Sequence, residues 1–296
     1  MDIQWYPGHM TKALRKMQES IRLVDLIIEL ADARLPKSSR NPQLDQIGQG
    51  KSRILILNKA DLADEAETKK WVDALQKEGL HVVCADARNT KVKERVRSLM
   101  EGALKEREEK NKRKGILNRP LRSMVVGIPN VGKSTFINAY AGRSAAKTGN
   151  TPGVTRGEQW ISLSKSLELL DTPGLLWPKL EDKRGALYLA LVGTIRREVV
   201  DNRELSKELV LFLQERFAGR LGERYGIEEA GTPEEVLERI AEKKGCLLKG
   251  GALDLERSAG MLMEDFRKGA LGRMTLELCE GKGPAGSEKE EHEEDG

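Results

Sequence analysis

The chain changes its hydrophobic period several times. Leu14, Met17 and Ile21 recur at the spacing of a half-buried helix whose cap is Thr11. Residues 23–30 then form a mostly apolar run of strand length, ending in Ala31-Asp32-Ala33-Arg34-Leu35-Pro36. A second strand is predicted over 52–57, before Asn58-Lys59-Ala60-Asp61, followed by a helix over about 65–77. A short strand over 81–84 leads into Ala85-Asp86-Ala87, and a charged helix runs from about 91 to 110. Residues 123–126 are a further buried strand that enters a glycine loop and a helix. Arg143 to Gly157 reads as a polar, Gly-rich loop. Strands at 158–163 and 167–170 are joined by the tight turn Ser164-Lys165-Ser166. From about Lys183 onwards only helical periods appear, broken at Gly231-Thr232-Pro233 and Gly250-Gly251.

Strands alternating with helices predict an α/β fold with a doubly wound, mostly parallel sheet, and the remainder predicts an all-α C-terminal domain. The expected division is 1–182 for the sheet domain, 183–283 for the helical one, and 284–296 for a disordered acidic tail. Ligands of such sheets bind at the carboxyl ends of the strands, where Asn58, Asp61 and Asp86 fall.

The net charge of +4 conceals an asymmetry: residues 1–185 carry 34 Lys and Arg against 23 Asp and Glu, and the C-terminal part is acidic. A basic face of that size suits a polyanionic partner, although a mixed solvated surface would also tolerate it. The basic stretch Lys110-Asn111-Lys112-Arg113-Lys114-Gly115 reads as a solvated linker, with direct RNA contact as the alternative. Cys84, Cys246 and Cys279 are too widely spaced for a disulfide framework or a zinc site. No run approaches a membrane span and the first residues lack a signal-peptide pattern, so a cytoplasmic location is expected.

Three motifs carry chemistry. Gly127-Ile128-Pro129-Asn130-Val131-Gly132-Lys133-Ser134 is a phosphate loop, GxxxxGKS, between a strand and a helix that begins near Thr135. Its backbone N–H groups are expected to cradle phosphates, with Lys133 at the β/γ-phosphates and Ser134 on magnesium. Asp171-Thr172-Pro173-Gly174 matches DxxG, which sets a carboxylate near magnesium and a Gly174 N–H at the γ-phosphate. In the loop before it, Thr155 is favoured over Thr151 to complete the magnesium shell. Asn58-Lys59-Ala60-Asp61 matches NKxD. Asp61 would accept from guanine N1–H and the exocyclic amine and reject adenine, Asn58 would bond the base and hold the phosphate loop, and the stem of Lys59 would cover the ring.

The motif order is rotated, with the guanine motif and Ala85-Asp86-Ala87 ahead of the phosphate loop and DxxG last. This resembles the circularly permuted GTPases of the translation-factor class. Trp5-Tyr6-Pro7-Gly8-His9-Met10, Asp32-Ala33-Arg34-Leu35-Pro36, the run from Asp171 to Pro178 and the stretch from Gly250 to Gly272 resemble the ribosome biogenesis GTPase A family. The resemblance implies a GTPase with Asp86 and Ala87 backing the base and nucleotide contacts from Asn130 to Thr135. It further implies action on late maturation of the large ribosomal subunit, with GTP promoting docking and ribosome-stimulated hydrolysis promoting release. A monomer is expected off the ribosome. Leu175 occupies the place where Ras-like enzymes carry a glutamine. The resemblance offers His9 as the group that manages the catalytic water, beside Lys133, Thr155 and Gly174; a packing or capping role for His9 stays open. It likewise offers Asn130 as a potassium ligand, with stabilisation of the loop turn as the alternative. The competing function is a nucleotide-gated RNA or small-subunit assembly chaperone whose hydrolysis is a slow timer. The segment 177–181, between DxxG and the helices, is the expected lever between nucleotide state and partner binding.

Overall fold

A computed structural model describes residues 15–85, 90–112, 120–141, 158–174, 176, 182–195 and 200–279. Helix α1 covers described residues 15–21 and closes in turns, Arg22 N to Glu19 O and Leu23 N to Ser20 O. Strand β1, Leu26–Asp32, therefore starts later than the apolar run suggests, and Leu23 stays exposed. There follow α2 (Leu44–Ile47), β2 (Ser52–Asn58), α3 (Glu65–Lys77), β3 (His81–Ala85), α4 (Thr90–Lys112), β4 (Leu121–Gly127), α5 (Lys133–Ala141), β5 (Gln159–Ser164) and β6 (Leu167–Asp171). The short helix α2 has no counterpart in the hydrophobic pattern.

The strands form one six-stranded sheet in the order β3-β2-β1-β4-β6-β5, parallel except for β5, which returns antiparallel on β6. Side chains alternate along each strand, so each strand feeds both faces. Leu26, Ile28 and Leu30 of β1 join Val96 and Met100 of α4 and Phe136 and Ile137 of α5 on one face. Ile27 joins Met17 and Ile21 of α1 and Leu44 of α2 on the other, where Leu55, Leu57 and Leu75 also hold α3. The register pairs Asp32 with Asn58, Asn58 with Ala85, Leu30 with Gly127 and Val125 with Asp171. Parallel pairing thus brings the ends of the three motif-bearing strands to one edge of the sheet.

Beyond the sheet lie α6 (Lys183–Leu191), α7 (Asn202–Arg216), α8 (Arg220–Tyr225), α9 (Pro233–Lys244) and α10 (Leu255–Lys268). Their ends are written into the sequence. Thr232 and Glu235 make a capping box around Pro233 at the start of α9, and Asp201 and Asp254 cap α7 and α10. Their apolar faces continue the cluster that contains Leu30, Val125 and Phe136, so one core runs from the sheet into the helices.

After α10 the chain returns to the sheet. Met274 N donates to Leu62 O at 3.0 Å and Leu276 N to Arg34 O at 2.8 Å. The Glu277 carboxylate accepts from Lys37 N and Ser38 N at 2.7 and 3.0 Å, while Trp71 Nε1 donates to Glu277 O at 2.9 Å. Residues 274–279 therefore lie as an extended strap across the loops that follow β1 and β2. The helical periodicity of the C-terminal region gave no sign of it.

Candidate nucleotide site

The phosphate loop fills the five residues, 128–132, between the end of β4 and the start of α5. Gly132 takes φ 102, and a Cβ there would lie 2.4 Å from Asn58 Nδ2. Only glycine admits that approach, and Asn58 uses it to donate to Val131 O at 2.6 Å. The end of β2 is thereby fastened to the phosphate loop.

Lys133 is buried, and its ammonium donates to Gly127 O and Ile128 O, each at 3.0 Å. Burial lowers its pKa to about 8, against the opposing pull of Asp171. Asp171 is buried in turn. Burial raises its pKa, with Lys133 and the Thr172 N–H acting the other way. Thr172 Oγ1 donates to Val125 O at 2.7 Å, which pins the DxxG turn to β4. Gly174 passes so close to the loop that a Cβ would stand 2.7 Å from Pro129 Cα and 3.1 Å from Lys133 Nζ. DxxG and the phosphate loop are thus in contact, and Ser134 lies in the first turn of α5 beside them, with Thr135 exposed.

The donor set fits magnesium. Asp171 Oδ1 is buried with no hydrogen-bond partner among the described residues, an oxygen that a hard cation or its water would satisfy. No group of three or more His, Cys, Asp or Glu suited to a metal occurs among the described residues.

At the guanine motif, Ala60 N donates to Ala85 O at 3.1 Å and Leu62 N to Lys59 O at 2.9 Å, so the NKxD loop leans on the end of β3. Lys59 has φ 58, and its ammonium lies 3.1 Å from Asp32 Oδ2. Burial pushes the Lys59 pKa down and Asp32 pulls it back up. Arg34 Nε and Nη2 grip the same carboxylate at 2.9 and 2.8 Å. Burial would raise the Asp32 pKa, yet Arg34 and Lys59 hold it well below the usual carboxylate range. The Arg34 guanidinium is fully buried over the ring of Phe266 in α10, 5.7 Å from its centroid.

Asn130 also has a positive φ, 60, and its Nδ2 donates to Gly193 O at 2.7 Å. Gly193 ends α6: its N–H and that of Thr194 return to Ala190 O and Leu189 O, the pattern of a Schellman motif. Arg267 of α10 adds donors to the same helix end, Nε to Leu191 O at 2.9 Å and Nη2 to Ala190 O, which already accepts from Gly193, at 3.1 Å.

The structure therefore gathers Asn58, Lys59, Asp61, Asn130, Val131, Gly132, Lys133, Ser134, Asp171 and Gly174 at one edge of the sheet. His9, Asp86, Ala87, Thr151, Thr155, Leu175, the segment 177–181 and the acidic tail lie outside the described residues. Asp32, Arg34, Gly193 and Arg267 acquire structural roles that motif reading had not given them. Their only signal was a charged Asp-Ala-Arg run at a strand end and an arginine in the last turn of α10.

Residues 122–244 match the family model described as 50S ribosome-binding GTPase. A ribosome biogenesis GTPase A from Bacillus cereus is 41% identical over 99% of this chain and 100% of its own. One from Thermotoga maritima is 34% identical over 97% of this chain and 98% of its own. A crystal structure of GNP-bound YlqF from T. maritima superposes with a TM-score of 0.63 at 31% identity, covering 90% of this chain and 98% of that one.

Proposed function

Because the chain belongs to the ribosome biogenesis GTPase A family, we propose that it is a GTP-hydrolysing assembly factor acting on late maturation of the large ribosomal subunit. The observation that carries the catalytic part is the Asn58–Val131 hydrogen bond, which joins the guanine motif to the phosphate loop across the rotated chain order. Nucleotide state governs docking in this reading: GTP favours the ribosome-bound form, and hydrolysis stimulated by the particle favours release.

Within the site, Lys133 leaves the Gly127 and Ile128 carbonyls for the phosphates, and Ser134, Asp171 and Thr155 hold magnesium directly or through water. Magnesium supplies charge neutralisation on the transferred phosphoryl group. Gly174 N–H meets the γ-phosphate, Asp61 reads guanine, and Asp86 and Ala87 back the base. His9 manages the attacking water, since Leu175 has no group that could orient it. Asn130 presents its carbonyl oxygen to potassium. Gly193 O can only accept, so it takes the amide nitrogen and turns the oxygen the other way.

The sheet part, 1–182, binds nucleotide, the helices of 183–283 meet rRNA, and the protein acts as a cytoplasmic monomer off the ribosome. No described helix is long and apolar enough to cross a membrane. Sedimentation with ribosomal subunits under GDP, GTP and a non-hydrolysable analogue tests the reading, together with turnover measured with and without those particles. A GTP-dependent shift onto large-subunit particles and faster turnover are expected. Sedimentation independent of nucleotide, or turnover indifferent to the particles, would remove the ribosome-coupled reading.

A further inference from the structure

We propose that Asp32 is a positioning residue for guanine nucleotides: it anchors the Lys59 ammonium so that the lysine stem is laid out along the base, and Arg34, held between Asp32 and Phe266, fixes Asp32 in turn. The proposal rests on the guanine-site reading of Asn58 to Asp61 and deepens it.

Lysine normally sends its charged head into water. Here Lys59, in a left-handed conformation that non-glycine residues adopt only under outside constraint, turns its head to a carboxylate that is 1% exposed. Charge balance does not require this. The two-pronged grip of Arg34 already satisfies Asp32, so the Lys59 contact is the member of the cluster turned towards the guanine motif. Its effect is to fix a side chain that would otherwise sample many rotamers, before the ligand arrives.

The support for Asp32 comes from the far end of the chain. Arg34 is stacked on Phe266, its carbonyl accepts from Leu276 N, and Lys37 N and Ser38 N both donate to Glu277. The loop after β1 is thus stapled by α10 and the strap, and the position of Lys59 depends on residues more than two hundred positions away in sequence. The same staple makes GDP release responsive to how α10 sits against the sheet.

The test uses the full chain, fluorescently labelled GDP and stopped-flow release, with GTP turnover at saturation alongside. Asp32→Asn is expected to weaken GDP binding by roughly tenfold or more, chiefly through faster release, while kcat at saturating GTP stays within about twofold of the parent. Lys59→Met keeps the stem and removes the ammonium. Adding Asp32→Asn to it should cost at most about a further twofold, because the contact is already gone. An undiminished loss in the double variant, or a single-variant loss confined to kcat, overturns the proposal. Inosine diphosphate should weaken by the same factor as GDP, since the stem covers either ring; a loss specific to GDP would place the defect at Asp61 and also overturn it. Should Asp32→Asn fail to fold, Phe266→Leu leaves every charge in place and carries the test: GDP release several-fold faster supports the proposal, and release at the parent rate overturns it. A parent chain that bound no GDP would remove the guanine-site reading itself, an outcome distinct from a parent that binds and variants that match it.

Discussion

Asn130 of the phosphate loop donates its side-chain amide to the carbonyl of Gly193, at 2.7 Å, and so ties that loop to the turn that ends α6. That turn is completed by Arg267 from α10. Arg267→Gln should lower the melting temperature, since losing hydrogen bonds from a charged donor costs about 1–3 kcal/mol, or roughly 2–6 °C for a chain of this size. Calorimetry checks this. An unchanged melting temperature would mean that solvent replaces the arginine at the helix end.

The Asn130 contact also bears on cation use. With the amide nitrogen committed to Gly193, Asn130→Ala should abolish any difference between turnover in potassium and in sodium while leaving GDP affinity in sodium within about threefold. Steady-state turnover in the two salts measures it. A potassium preference that persists in the variant places the ion elsewhere.

Burial of Lys133 gives a pH signature. Its pKa of about 8 means that the unliganded ammonium is half lost there, whereas phosphates restore it, so GDP binding takes up a proton and affinity falls as pH rises above 8. The loss approaches about tenfold per pH unit at most. Unliganded stability moves in the opposite direction. An unfolded lysine titrates at 10.5, so the unfolded chain holds more protons between about 8 and 10.5 and folding becomes more favourable as pH rises through that window. Titration calorimetry in buffers of different ionisation heat, run at pH 7 and 8.5, separates proton uptake from binding; equal uptake at both would contradict the assignment.

In the proposed reading, base selection rests on the Asp61 carboxylate. Asp61→Asn exchanges an acceptor pair for an amide that can donate to the C2 carbonyl of xanthine, so preference should pass from GDP to xanthosine diphosphate by about a hundredfold or more in the ratio of Kd values. Competition against labelled GDP reads the ratio. A variant that still prefers guanine would show that the base sits elsewhere.

The strap makes a prediction about dynamics. Met274 N and Leu276 N donate across to Leu62 and Arg34, and Asp64 N donates back to Thr275 Oγ1 at 3.0 Å. These amides should exchange with solvent as one group and slow together when GDP is added, because the loops they bridge are those proposed to hold the base. Hydrogen exchange by mass spectrometry would reveal them as separate if the strap were only a surface contact.

Much of the sheet was legible because period and punctuation agree. β2, α3 and β6 fall within a residue of the expected bounds, and Asn58 and Asp171 sit at strand ends, where their motifs predict chemistry. The departures have physical causes. Leu23 looked like part of β1, but the turn that closes α1 consumes it before the strand can pair. Residues 274–279 carry no periodicity, since a single extended segment bonded to loops has no face to repeat. Lys59 was expected to reach over the base with its stem alone. Its partner Asp32 lies on a neighbouring strand, and only register brings the two together. Arg34 and Arg267 stood out only as parts of the stretches that carry the family resemblance, and local sequence does not say that an aromatic ring or a helix terminus will meet them from a distant part of the chain.

The strand order has a consequence for how the molecule is made. β1, β2 and β3 are made before β4 and are consecutive in the sheet, with β2 between the other two, so they can assemble while the open edge of β1 waits. β4 then docks on that edge and carries the phosphate loop to an Asn58 already in place, with β6 next to it in turn. Nucleotide capture is thus a late event of synthesis, and the strap, emerging after the helices, closes over loops of the proposed base site that were translated more than two hundred codons earlier.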